Sequence, residues 1–245
     1  MRLQHCTWPE VEAYLGRSRD IVVPIGSTEQ HGPNGLIGTD AICPEAIALG
    51  AAERIGCMVA PTLSIGMAQH HMAFAGTITL RPATLVAVIR DVVDSLARHG
   101  FERIYFLNGH GGNIATITAA FSEIYADRSM ERAGARPPVQ LRLGNWFGGE
   151  RARNLAKELY GDAEGSHATP SEVSLSWYAA GVTKSAEMNP PVAPRGVIRD
   201  AEDYRRQFPD GRIGSNPGLA SVEHGERLWR AGVEDLIADY QAFVG

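Results

Sequence analysis

Several things are scarce in this 245-residue sequence, and each scarcity removes a class of function. No apolar run approaches the ~18 residues of a membrane span. The N-terminal "MRLQHCTWPEVEAYL" has neither an uninterrupted apolar stretch nor a small-residue cleavage site. A soluble, cytoplasmic protein without a membrane partner is therefore expected. Lysine and arginine never cluster at the density a phosphate backbone calls for, and the net charge of −5 is mild, so no nucleic-acid partner is expected. The three cysteines, Cys6, Cys43 and Cys57, are irregularly spaced without a CxxC pair. That pattern indicates neither a disulfide framework nor a thiolate zinc site, and reduced, mostly buried thiols are expected. No linker or charge run divides the chain, and residues 1–245 are read as a single domain with a substantial core.

What is present is alternation. Apolar or β-branched runs at 20–26 (DIVVPIG), 57–63 (CMVAPTL), 103–109 (RIYFLNG) and 139–146 (VQLRLGNW) read as strands, and 41–55, 82–99 and 113–134 carry helical periodicity. Strands alternating with helices of this length predict βαβ units and a mainly parallel sheet covered on both faces. Pro82 opens the second helix and Gly100 closes it. Beyond residue 146 the pattern loosens into helix, loop, helix, a Pro-rich loop over 189–198, and a last helix over about 218–243.

Three segments concentrate metal-type ligands: PIGSTEQHGPNGLIGTD (24–40), NGHGGN (108–113) and EGSHATPSEVS (164–174). The first two begin where predicted strands end, the edge at which open α/β sheets bind ligands. Glu29 and His31 are two apart, which in extended backbone puts both on one side. Asp40 is either the N-cap of a helix starting at Ala41 or a carboxylate pointing into the crevice. His110, flanked by Gly109, Gly111 and Gly112, is either brought close to other loops by a tight turn or left on the surface. Thr169, Pro170 and Glu172 form a capping box, which explains Glu172 structurally and leaves His167 unexplained. As a set, Glu, His, Asp, His and Glu make a mixed oxygen and nitrogen donor group suited to zinc, manganese or iron(II). A carboxylate bridging two ions can hold a water between them and lower its pKa towards neutrality. Trp146, at a strand end, reads as a pocket wall or as core. Arg195, Arg199, Arg205 and Arg206 read as a solvated face or as receivers of a phosphorylated substrate.

These segments, together with FAGTITL (74–80) and GSNPGLASVEHGERL (214–228), stand in the order and spacing of the creatininase (creatinine amidohydrolase) family, which the chain resembles over nearly its whole length. The resemblance implies a creatininase-like three-layer α/β/α domain, commonly a hexamer. It also implies two divalent ions, zinc first with manganese or iron as alternatives, that serve hydrolysis of C–N bonds in cyclic or linear amides. Glu29, Asp40 and His110 would hold one ion, and His31, the bridging Asp40 and a further carboxylate the other. In creatininase that carboxylate occupies the position of Gly112, so here the resemblance points to Glu172. His167 matches a family histidine that passes a proton to the leaving nitrogen, which makes His167 and Glu172 the expected catalytic residues. His71 matches a histidine near the substrate, with a solvated loop histidine as the alternative.

The chain departs from the family wording at several positions. Thr169, Pro170 and Val173 replace Gly, Glu and Thr, and Asn34 and Gly35 stand where His and Leu are common. Gly111 and Gly112 stand where creatininase has Tyr and Glu, which argues against creatinine as the substrate. The pair Asn34–Gly35 is expected to bear on substrate preference. The implied substrate is a small-molecule amide, cyclic amide or formamide. Two rival readings are a non-catalytic metal- or ligand-binding member and a dinuclear phosphoesterase.

Overall fold

In the computed structural model, which describes residues 1–132, 134 and 136–245, the strands are β1 (Asp20–Ile25), β2 (Met58–Val59), β3 (Arg103–Asn108) and β4 (Gln140–Asn145). Among the described residues they form one all-parallel sheet in the order β2-β1-β3-β4. The helices are α1 (Trp8–Leu15), α2 (Thr39–Ile55), α3 (Pro82–His99), α4 (Ile114–Met130), α5 (Glu150–Tyr160), α6 (Pro170–Ala180), α7 (Ala201–Gln207) and α8 (Val222–Val244). Successive strand side chains point to opposite faces. Ile21, Val23 and Ile25 of β1 therefore share one apolar core with Ile104 and Phe106 of β3, closed by α1, α3 and α4. Val22, Tyr105 and Leu107 share the other with α2, α5, α6 and α8. This is the three-layer α/β/α arrangement expected. No helix among the described residues is long and apolar enough to cross a membrane.

Some boundaries differ from the sequence pattern. The second predicted strand, 57–63, pairs as a strand only at Met58–Val59 and touches β1 again at Leu63. Beyond Val59 the segment bonds β1 through Ala60 N to Val22 O and Leu63 N to Pro24 O, and Pro24 of β1, without an N–H, supplies no ladder donor between them. The helix predicted over 113–134 ends at Met130, and Ala133 lies outside the described residues. The last helix starts at Val222 instead of about 218, because Ser221 caps it by accepting from His224 N at 3.1 Å. The short helix α7, capped by Asp200 on Asp203 N at 2.8 Å, was not anticipated.

The topology opens a crevice. After β1 the chain enters α2 on one face of the sheet, and after β3 it enters α4 on the other, so the loops diverge beyond the carboxyl ends of the two central strands. The start of α2 presses against both strand ends. A Cβ on Gly26 would lie 2.1 Å from the Asp40 carbonyl oxygen, and one on Gly109 would lie 2.0 Å from it. Absent side chains at 26 and 109 thus let Asp40 reach the crevice. Gly109→Ala is expected to cost ~2 kcal/mol or more in urea denaturation, the scale of overpacking against fixed backbone. Gly111→Ala, whose Cβ meets nothing within 4 Å, should stay within about 0.5 kcal/mol of wild type. Equal effects would refute this packing explanation.

Candidate metal centre

Of the two readings of Asp40, N-cap or crevice carboxylate, the start of α2 removes the first. Gly38 occupies the N-cap position, Thr39 Oγ1 donates to Leu36 O at 2.7 Å, and Asp40 lies inside the first turn without a capping bond. Its carboxylate is buried instead, with Oδ1 3.0 Å from His31 Nε2 and Oδ2 2.9 Å from His110 Nδ1. Each imidazole is tied down from its other side. His31 Nδ1 donates to Glu29 O at 3.3 Å, and His110 Nε2 donates to Met67 O at 3.1 Å. A carbonyl only accepts, so these bonds leave His31 Nε2 and His110 Nδ1 facing the two oxygens of one carboxylate. Something positive must stand between such groups.

In the metal-free protein that something is a proton. Burial disfavours charge on His31, but the Asp40 carboxylate outweighs it and pushes the group up to about 10. On His110 burial is outweighed by Glu29 and Asp40, which push it up to about 9. Asp40 itself falls well below the ordinary carboxylate range, because the two imidazoles overcome its burial. Glu29 is pushed up to about 7 by burial, against the pull of His110. Its Oε2 accepts from Ser27 Oγ at 2.9 Å, whereas Oε1 lies 3.0 Å from His71 Nε2 and 4.0 Å from His167 Nδ1.

Two buried oxygens of this cluster, Glu29 Oε1 and Asp40 Oδ2, have only a histidine nitrogen facing them and make no well-aligned hydrogen bond. A divalent cation would satisfy both. Three sets of side chains bring one ligand atom each to within 4.8 Å of the others: Glu29, Asp40 and His110; His31, Asp40 and Glu172; and Glu29, His31 and His167. The first two share Asp40. The donors are mixed nitrogen and oxygen, which fits the borderline metals and not a thiolate site.

Glu172 carries both of its anticipated environments at once. Its backbone N donates to Thr169 Oγ1 at 3.1 Å and its Oε2 accepts from Thr169 N at 2.9 Å, completing the capping box. The same carboxyl belongs to the set with His31 and Asp40. His167 is set by Ala168, whose φ of 52 turns the chain between the histidine and the cap. A left-handed alanine costs ~1–2 kcal/mol. His167 Nε2 donates to Gln30 O at 2.9 Å, which leaves Nδ1 on the Glu29 side. Burial, with the His71 and His31 rings adding to it, holds His167 well below its ordinary pKa and so neutral.

His71 is buried, which overturns the solvated alternative. Burial and the neighbouring His70 push it down to about 2. Two residues beside it escaped sequence reasoning. Gln30 Nε2 lies 2.9 Å from His71 Nδ1 and from His167 Nε2, and donates to Tyr204 OH at 3.1 Å and Gly211 O at 3.0 Å. Alternation sets Gln30 opposite Glu29 and His31, and the loop it meets is 181 residues away in sequence. Tyr204 comes from the unanticipated α7.

Two adjoining cavities open here. One of about 180 Å³ is lined by Asp40, His70, His71, His110, His167 and Tyr204, among others. A larger one of about 400 Å³ has Trp146, Phe147 and Glu164 in its wall, and the two share Gly111, Ser166 and Glu172. Trp146 thus has both roles considered for it, packed in the core and facing a cavity. The expectation for Asn34 is corrected. Its side chain is buried, donates to Pro217 O at 2.9 Å and lines neither cavity. The four arginines are also outside both cavities: Arg199 and Arg206 pair with Asp203, Arg205 stacks 4.6 Å from the Phe74 ring centroid, and Arg195 donates to Asp162 O at 3.2 Å.

Comparison with known proteins places this fold in a family. The family model for creatininase, described as creatinine amidohydrolase, matches residues 4–240. A creatinine amidohydrolase of Pseudomonas putida is 33% identical over 146 residues, 57% of this chain and 55% of that enzyme, so the chain spans about half the length of that relative. A mycofactocin precursor peptide peptidase of Mycobacterium ulcerans (strain Agy99) is 28% identical over 242 residues, covering 95% of this chain and 84% of that one. A solved manganese creatininase superposes with a TM-score of 0.84 at 25% identity, over 100% of this chain and 99% of that chain. A Zn-Zn form of a creatininase variant gives 0.81 at 25% identity, over 100% and 98%. With its sequence matched almost from end to end and its three layers shared with solved creatininases, the chain belongs to the creatininase family of metal-dependent hydrolases.

Proposed function

We propose that the protein hydrolyses a C–N bond of a small amide, cyclic amide or formamide at a centre of two divalent ions bridged by Asp40. The observation that carries this reading is the pair of buried Asp40 oxygens, each facing the free nitrogen of a different histidine whose second nitrogen is anchored on a backbone carbonyl. Anchoring of this kind fixes ring orientation at metal sites. Glu29, Asp40 and His110 would hold one ion, and His31, Asp40 and Glu172 the other. Zinc is the first choice and manganese or iron also suit the donors, in keeping with the zinc and manganese forms of solved creatininases. Bound there, the ions would supply a water acidified to near neutrality and a Lewis acid for the carbonyl. His167, neutral and open at Nδ1, takes the proton released in the attack and returns it to the departing nitrogen. Gln30 keeps that ring in place through its backbone oxygen, which accepts from Nε2. The larger cavity takes the rest of the substrate, and the space left at Gly111 suits an amide bulkier than creatinine. Assembly as a homo-oligomer belongs to the same reading, on the family resemblance.

Elemental analysis and an amide screen test the proposal together. Wild type should carry two ions per chain, and Asp40→Ala or His31→Ala should lose at least one ion with nearly all turnover. His167→Asn should keep the metal while kcat drops about 10²- to 10⁴-fold. Turnover by fully metal-stripped protein, or turnover confined to p-nitrophenyl phosphate, would sink the reading.

The proton-filled centre makes a separate prediction about pH. His31 and His110 have folded pKa values raised to about 10 and about 9. Their stabilising contribution is complete below their unfolded value of ~6.5 and is lost as pH rises through 9 and 10. Glu29, raised to about 7, works in the same direction. Metal-free protein should therefore melt at progressively lower temperature from pH 6.5 to 9. Metal affinity should rise over the same interval, because binding displaces those protons. Thermal scans with and without EDTA would show it, and a metal-free Tm that is flat or rising would contradict it.

A further inference from the structure

The hydrolytic reading leaves the outer wall of the larger cavity unused. That wall is α5, and two of its charges are already paired across to α8: Arg151 with Asp235 at 3.0 Å, and Glu158 with Arg227 at 3.2 Å. Arg153 and Lys157 are different. Both are exposed, both line the cavity of about 400 Å³, and neither has a carboxylate within salt-bridge distance among the described residues. Four residues apart, they share one face of the helix. The same cavity takes apolar lining from Trp146, Phe147, Ala152 and Ala156 and polar lining from Ser166, Thr169 and Ser171, with Glu172 in its wall.

Glu164 also lines this cavity, where a full negative charge would oppose an anion. Its Oε1 is held by Ser171 Oγ, its Oε2 is buried with no partner, and burial pushes the carboxyl up to about 7. Near neutral pH its charge is reduced, so it opposes an anion less than an ordinary carboxylate would.

We propose that this cavity recognises an anionic group, carboxylate or phosphate, carried by the amide substrate. Arg153 and Lys157 hold the anion at the exposed end, Trp146 and Phe147 pack the body, and the scissile bond lies at the Glu172 end. The word substrate rests on the hydrolytic reading, but the preference for an anion is a matter of binding alone and is measured separately.

The test is isothermal titration of the full-length protein, with and without added zinc. Three probes share one body: N-benzoylglycine, its neutral N-methylamide, and the phosphate ester of N-benzoylethanolamine. Wild type should bind one anionic probe about tenfold more tightly than the neutral twin, the scale of two partly exposed ion pairs. The better anionic probe tells carboxylate from phosphate. In the combined Arg153→Gln and Lys157→Gln variant the preference should vanish, with unchanged Tm and elution volume. Equal binding of the neutral twin, no binding of any probe, or a preference that survives in the variant would overturn the proposal. A changed elution volume would do so too, by assigning the two cations to contacts between copies. Metal content measured on the same samples judges the hydrolytic reading independently.

Discussion

The structure depends on one carboxylate held out of water. Asp40 is buried between two imidazoles, and its charge is bearable there only because His31 and His110 face its two oxygens. That arrangement makes demands far from the side chain itself. The first turn of α2 must press against the ends of β1 and β3, which requires positions 26 and 109 to lack a Cβ. The diverging exits of those two strands supply the crevice, and the glycines let the helix start fill it.

Proton states follow from what each histidine faces. His31 and His110 look at carboxylates and are driven towards the charged form, whereas His71 and His167 are buried against other imidazoles and driven to the neutral form. Gln30 stands between the last two, its side-chain nitrogen 2.9 Å from His71 Nδ1 and its backbone oxygen accepting from His167 Nε2, without imposing a charge on either ring. Within one cluster the protein thus keeps two imidazoles that attract positive charge and two that resist it. The first kind suits an ion site, and the second keeps an unprotonated ring nitrogen beside it.

Economy shows in Glu172 and Ala168. One oxygen of Glu172 completes the cap of α6 while the carboxyl stands beside His31 and Asp40, so the helix end fixes the position of a site residue. Ala168 accepts left-handed backbone so that His167 and the capping Thr169 can face different ways. Local strain of this kind is stored where geometry matters to function.

Much of this was legible in the sequence. The runs at 20–26 and 103–109 and the capped helix at 82–99 declared themselves through periodicity and end signals, which are local properties. Glu29, His31, Asp40, His110, His167 and Glu172 could be named as ligand-type residues at one sheet edge from spacing and resemblance. Other features were hidden because they depend on contacts between distant segments. Asp40 could be a cap or a crevice carboxylate until the helix was seen to begin at Thr39, two residues before Ala41, and Asn34 looked like a specificity position until it was found tied to the loop at Pro217. Gln30 gave no signal, since its partners come from residues 71, 167, 204 and 211. By itself the sequence determined the layers, the edge and the donor set, because patterning and residue chemistry act over a few positions. Only the tertiary structure decided which oxygen faces which nitrogen, which histidines hold a proton, and that Arg153 and Lys157 share a cavity with Glu172, because burial and close approach exist only once the chain has closed.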